Sequence, residues 1–243
     1  MDFTLAKYSK LLDTLKAYGF EELMLRHDVD LRPANSLRTA QMEAEKGMHG
    51  IYYFRAVPES WDEDIIKLIA LLGHEIGYHY ESLTSCDGDV DKAYDDLCKN
   101  LDALRKLVPV RSICMHGSPR SPFDSKDIWK KYDYHKLGIE NEPYLDTDFS
   151  KVFYLTDTGR RWDGYKVSVR DKIPQYQDEW IEQGLTFHST SDVIKGLNEN
   201  RIPKNLMITV HPQRWNPFGG AWCKELLMQN AKNIVKRFLV HQR

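Results

Sequence analysis

Two aspartates one residue apart close the stretch Leu23-Met24-Leu25-Arg26-His27-Asp28-Val29-Asp30. Read as a strand, alternation aims Asp28 and Asp30 to one side and His27 and Val29 to the other. Two carboxylates that share a site repel, so a cation, a proton or an arginine must stand between them. The plainer alternative is a turn, since aspartate is common where strands stop. Against it, later segments that read as strands end on histidine: His79, His116, His188 and His211. An acid and two imidazoles that converge suit a divalent transition metal, zinc first, with positions left for water and substrate. The chemistry is then hydrolysis, with one aspartate on the metal, the other taking a proton from water, and a further histidine protonating the leaving group. His74, His49 and His135 precede their strands and His27 faces away from the acids, so these four read as structural.

The strand ends meet only if the strands are parallel. Apolar residues at helical spacing run from Phe3 to Tyr18 and stop at Gly19, and Pro33 opens a second helix that ends near Gly47. A buried strand at 50–55 follows, then Ser60-Trp61-Asp62-Glu63 with capping-box spacing before a helix that ends at Gly73, and a strand at 75–79. A long helix from Asp87 to Val108 precedes a strand at 111–116. The second half reads as a short helix at 128–134, strands at 136–140 and 151–155, and an acidic loop from Glu142 to Ser150. Strands at 184–188 and 206–211 flank a helix at 191–198. An amphipathic helix from Gly220 to Val240, lysines outward, ends the chain. Repeated βα units make a parallel sheet, and enough of them close a barrel whose active site lies at the C-terminal strand ends.

Composition narrows the classes. With 243 residues, 42% of them hydrophobic, one well-buried core and a single domain over 1–243 are expected. A net charge of -2 gives no general attraction to nucleic acid or an anionic membrane. No apolar run has transmembrane length, and Met1-Asp2-Phe3-Thr4 lacks the pattern of a signal peptide, so a cytoplasmic location is expected. Cys86, Cys98, Cys114 and Cys223 stand in no paired metal spacing and read as isolated thiols.

Four motifs in this order resemble the polysaccharide deacetylase family, carbohydrate esterase family 4: His27-Asp28-Val29-Asp30, Gly73-His74-Glu75-Ile76-Gly77-Tyr78-His79, Gly117-Ser118-Pro119 and Thr209-Val210-His211-Pro212. The similarity runs from about Leu23 to Trp215 and is nearest the branch of surface-polysaccharide and O-antigen gene products. It implies an α/β fold, a distorted (β/α) barrel of NodB-like type, with Asp28 as general base, Asp30 and His79 as ligands of a divalent metal, most simply zinc, and His211 as general acid. Asp157, followed by Trp162, matches the acid that steadies that histidine. Trp162 and Trp215 would wall the sugar or its acetyl group. The implied partner is a carbohydrate, an N-acetylated sugar of a surface polysaccharide or its nucleotide- or lipid-linked precursor, which the enzyme deacetylates.

One position departs from the pattern. The family's second histidine ligand falls at Leu83, and leucine binds no metal. His116, where the family carries an arginine, is the expected third ligand because its strand should lie beside that of His79; the alternatives are Glu81 or no metal at all. If His116 is a ligand, Arg120 would pair with Asp28; alternatively His116 itself bonds Asp28. Two further functions stay open: a metal-independent amidohydrolase of the same fold acting on cyclic amides or ureides, and an inactive carbohydrate-binding domain.

Overall fold

The computed structural model describes residues 1–118, 121–162, 168 and 172–240. Its elements run α1 (Leu5–Tyr18), β1 (Glu22–Val29), α2 (Pro33–Glu45), β2 (Ile51–Phe54), α3 (Glu63–Leu71), β3 (Glu75–Tyr80), α4 (Ser82–Ser85), α5 (Val90–Arg105) and β4 (Ser112–Met115). After two 3₁₀ turns come α6 (Pro143–Asp146), β5 (Phe153–Thr156), α7 (Pro174–Glu182), α8 (Thr190–Asn198), β6 (Asn205–Val210) and α9 (Gly220–Val240). Six strands form one sheet in the order β4-β3-β2-β1-β6-β5, every pair parallel. The fold is α/β, a curled part-barrel whose edges among the described residues are β4 and β5.

Local chemistry explains most of the boundaries. Thr4 caps α1 by accepting from the Lys7 amide, and Gly19 ends it in the left-handed region that a side chain would strain. In β1 the outward side chains Leu25, His27 and Val29 meet the helices; His27 stacks on Tyr52 and lies 3.1 Å from Glu43. His74 is buried with it, accepting from the Gly50 amide and facing the Ala40 carbonyl at 2.9 Å, which places both histidines in the packing as expected. Gly77, opposite Tyr53, is needed because a Cβ there would sit 2.3 Å from the Tyr53 ring, whose hydroxyl reaches Ser112 beneath the strand ends.

Several expectations fail for identifiable reasons. Residues 184–188 are no strand: Gly184 is left-handed and Ser189 at once caps α8 in a reciprocal capping box with Asp192. His188 is therefore exposed at a helix entry, against Arg161, and is not part of the cluster. The segment 136–140 turns at left-handed Gly138 and adds only an isolated bridge between Ser112 and Asn141. Asp62, not Ser60, caps α3, while the Ser60 hydroxyl is spent on the Val29 carbonyl. The acidic loop holds α6, capped by Glu142. α9 leaves Lys224 and Lys232 exposed, yet it also turns Glu225 and Gln229 in and leaves Leu227 and Ile234 exposed.

Candidate active site and metal centre

Parallel strands bring Asp28 from β1, Asp30 just past it, His79 from β3, His116 just past β4, Asp157 just past β5 and His211 just past β6 to one edge of the sheet. A cavity of about 1170 Å³ opens there, with Asp28, Asp30, His79, His116 and His211 on its wall.

Asp28 is buried and held by the fork of Arg26, whose Nε and Nη2 donate to its two oxygens at 2.8 and 2.7 Å. Burial pushes the Asp28 carboxyl up, but the charges of Arg26 and then His79 outweigh it and hold the group below the usual carboxylate range. Arg26 is the functional residue that reading the strand as an apolar run passes over. The same alternation that pairs Asp28 with Asp30 puts Arg26, two residues earlier, on their face. Asp28 thus has its cation from its own strand, and neither His116 nor Arg120 is needed for that task; Arg120 lies outside the described residues.

Asp30 divides its two oxygens. Oδ2 accepts from Gln213 at 3.0 Å, with His211 Nε2 at 3.9 Å. Oδ1 is buried with no hydrogen-bond partner, 3.7 Å from His79 Nε2 and 3.5 Å from His116 Nε2. Both imidazoles are committed at the other nitrogen. His79 Nδ1 lies 2.9 Å from the Cys114 carbonyl, which can only accept, so this nitrogen carries the proton. His116 Nδ1 lies 2.8 Å from Glu81 Oε2, which is ionised: burial raises its carboxyl, but His116 and Arg55 bring it to about 2. Burial likewise lowers His79 to about 4, so it is neutral at ordinary pH. Nε2 of each imidazole and an orphaned carboxylate oxygen therefore converge on one spot, where a bound cation would give that oxygen the partner it lacks. Atoms that share one zinc at roughly 2.0–2.2 Å stand about 3.3–3.6 Å apart, close to the spacings found. Asp30, His79 and His116 fit a divalent metal on donor chemistry and on this orphaned atom.

Glu81 is not a competing ligand here. One oxygen takes Nε and Nη2 of Arg55 at 3.0 and 2.5 Å and the other holds His116, which fixes the ring's tautomer. Leu83 is buried in the apolar packing around α4.

On the far side, Asp157 is fully buried and gathers His211 Nδ1 at 2.6 Å, the His211 amide, Arg214 at 2.5 Å and the Trp215 indole N–H at 2.8 Å. Burial raises its carboxyl and Arg214, then His211, pull it below the ordinary range. His211 Nε2, 3.9 Å from Asp30 Oδ2, lies on the side of the ring away from Asp157, and His211 lines the cavity. The tryptophan on this acid is Trp215, not Trp162. Neither tryptophan lines the cavity: both are fully buried, Trp215 spent on Asp157 and Trp162 on Thr190, so their reading as sugar walls is corrected. Exposed cavity wall comes instead from α9, including Met228 and Lys232, which sequence periodicity alone did not bring near the strand ends.

No protein-family model matches the sequence and no curated protein is similar to it. Among solved structures, the chain is similar to a CE4 family pseudoenzyme from Bacillus anthracis, at 12% identity and a TM-score of 0.44, over 89% of this chain and 62% of that one. It is also similar to the peptidoglycan deacetylase PdaC from Bacillus subtilis, at 10% identity and a TM-score of 0.42, over 90% of this chain and 98% of that one. A family 4 carbohydrate esterase from Bacillus anthracis matches at 12% identity and a TM-score of 0.39, over 95% and 84%. The chain spans under two thirds of the length of the pseudoenzyme.

Proposed function

We propose that this protein is a divalent-metal-dependent hydrolase that removes the acetyl group from an N-acetylated sugar, acting in the cytoplasm on a precursor of a surface polysaccharide. The observation that carries the reading is the unpartnered Asp30 Oδ1 facing Nε2 of His79 and Nε2 of His116. The sugar and the acyl group come from the motif resemblance around Asp28, His79 and His211.

Asp30, His79 and His116 would hold the cation, which when bound supplies an acidified water and a polarised carbonyl. Asp28, ionised by Arg26 and open to the cavity, accepts the proton of the attacking water. His211, its Nδ1 proton locked on Asp157, presents Nε2 toward the leaving nitrogen and delivers a proton there. Asp157 stabilises the imidazolium that this role requires, while Gln213 keeps Asp30 turned so that Oδ1 faces the two histidines.

The test is elemental analysis of protein purified without chelator or affinity tag, followed by deacetylation assays on N-acetylated sugar nucleotides. Near-stoichiometric zinc or another transition metal, with turnover lost in Asp28→Asn while its metal stays, is the expected result. Absence of metal even after reconstitution would reject the reading and turn attention to ureide hydrolysis or carbohydrate binding without catalysis.

A further inference from the structure

Surface helices bury their apolar stripe and give their polar residues to water. α9 does the reverse. Its inward stripe is Trp222, Glu225, Gln229 and Asn233, tied down by polar bonds: the Trp222 indole donates to the Asp2 carbonyl at 2.8 Å, Glu225 lies 3.6 Å from Arg32, and Asn233 donates to the Gly159 carbonyl at 2.8 Å. Those bonds fix which face looks outward, and that face carries Leu227 and Ile234, one heptad apart, 70% and 60% exposed. Phe218, just before the helix, is 65% exposed. Of the large hydrophobic side chains exposed among the described residues, Phe218, Leu227, Met228 and Ile234 fall in this one segment. The clustering matters because single exposed leucines are ordinary and contiguous ones are not.

Charge indicates what covers the face. The chain as a whole is at -2, yet α9 has four basic residues against one acid, and that acid, Glu225, is turned inward to Arg32. Lys224, one turn before Leu227, is exposed beside the apolar stripe, and Lys232 is exposed at the cavity wall. A second copy of the same helix would set these cations against each other. An anionic lipid surface takes both features at once: apolar side chains enter the acyl boundary while lysines reach the headgroups. We propose that α9 and Phe218 form a peripheral docking surface for an anionic bilayer, with the helix lying in the interface and not crossing it. The cavity shares α9 as a wall through Met228 and Lys232, so docking would set the cavity mouth at the membrane. This inference is independent of the catalytic reading.

Vesicle co-sedimentation tests it, using phosphatidylcholine alone and phosphatidylcholine with a minor fraction of phosphatidylglycerol. The full chain is expected to partition onto the phosphatidylglycerol vesicles, weakly or not at all onto neutral ones, and to be released by raised salt. The double variant L227Q/I234Q should weaken partitioning by about tenfold or more while its melting temperature is unchanged, since both side chains are exposed in the free protein. Lys224→Glu should weaken it on anionic vesicles only. Failure of the full chain to bind either vesicle would overturn the proposal. So would equal binding by L227Q/I234Q, or a stable dimer in sedimentation velocity that the same pair of substitutions dissolves.

Discussion

Arg26 and Asp28 sit two residues apart on one strand, joined by a two-point ion pair whose guanidinium is fully buried while the carboxylate borders the cavity. In the proposed mechanism that pair is the electrostatic foundation of the site, because Asp28 could serve as a base only while it stays ionised in a buried place.

Replacing Arg26 with leucine should therefore cost roughly 3–5 kcal/mol at neutral pH, the usual cost of leaving one buried charge without its partner. The pH signature is specific. With Arg26, the Asp28 carboxyl lies below its unfolded value, so its contribution to stability is present above that value and is lost as pH falls through the folded one. Without Arg26, burial raises the carboxyl, and acidification should stabilise the variant. Melting temperatures of both proteins across mildly acid pH would check the reversal; parallel curves would refute it. Arg26→Lys keeps the charge without the fork and should shift the acid limb of kcat/KM upward by less.

At the cation site, His79→Ala and His116→Ala should each remove most of the metal, as read by elemental analysis. Glu81→Gln should behave differently, lowering metal affinity by about 10–100-fold without abolishing binding, because it loosens His116 and does not remove a donor. Stoichiometric metal in His116→Ala would mean that another group completes the site.

For proton delivery, His211→Ala should slow turnover by roughly two to four orders of magnitude with little change in KM. Asp157→Asn should lower the pH at which activity falls on the basic side, since the imidazolium loses its counter-charge, and a pH–rate profile reads that directly.

Trp215 offers a contrast between wall and scaffold. Trp215→Phe removes the indole N–H from a buried carboxylate and should destabilise the protein by about 1–3 kcal/mol while leaving KM for the sugar near its original value. A large rise in KM with unchanged stability would restore the sugar-wall reading.

Much of this was legible in the residues. Alternation along β1 placed Asp28 with Asp30, and the histidines of β3, β4 and β6 follow from counting parallel strands. The apolar periodicity of α1 and α5 located those helices to within a few residues. What escaped was non-local. Nothing near Trp215 announces that its indole will reach Asp157 from another strand, and nothing in α9 announces that its polar stripe is the buried one. Arg26 was readable and was passed over because its neighbours are apolar. The strand expected at 184–188 failed because local capping chemistry won over β-propensity.

The three candidate ligands come from three different strand ends, and three helical crossovers separate the first from the last. No short segment of this chain can hold the cation, so the unfolded polypeptide has no site to offer. If the proposed cation binds there, metal binding and completion of the sheet would be linked equilibria: each loop that closes to bring β3 and β4 beside β1 would be closed more firmly by the ion. A chelator would act on this protein as a denaturant does, loosening the β1–β4 half first and leaving β5 and β6 to the packing of their own helices.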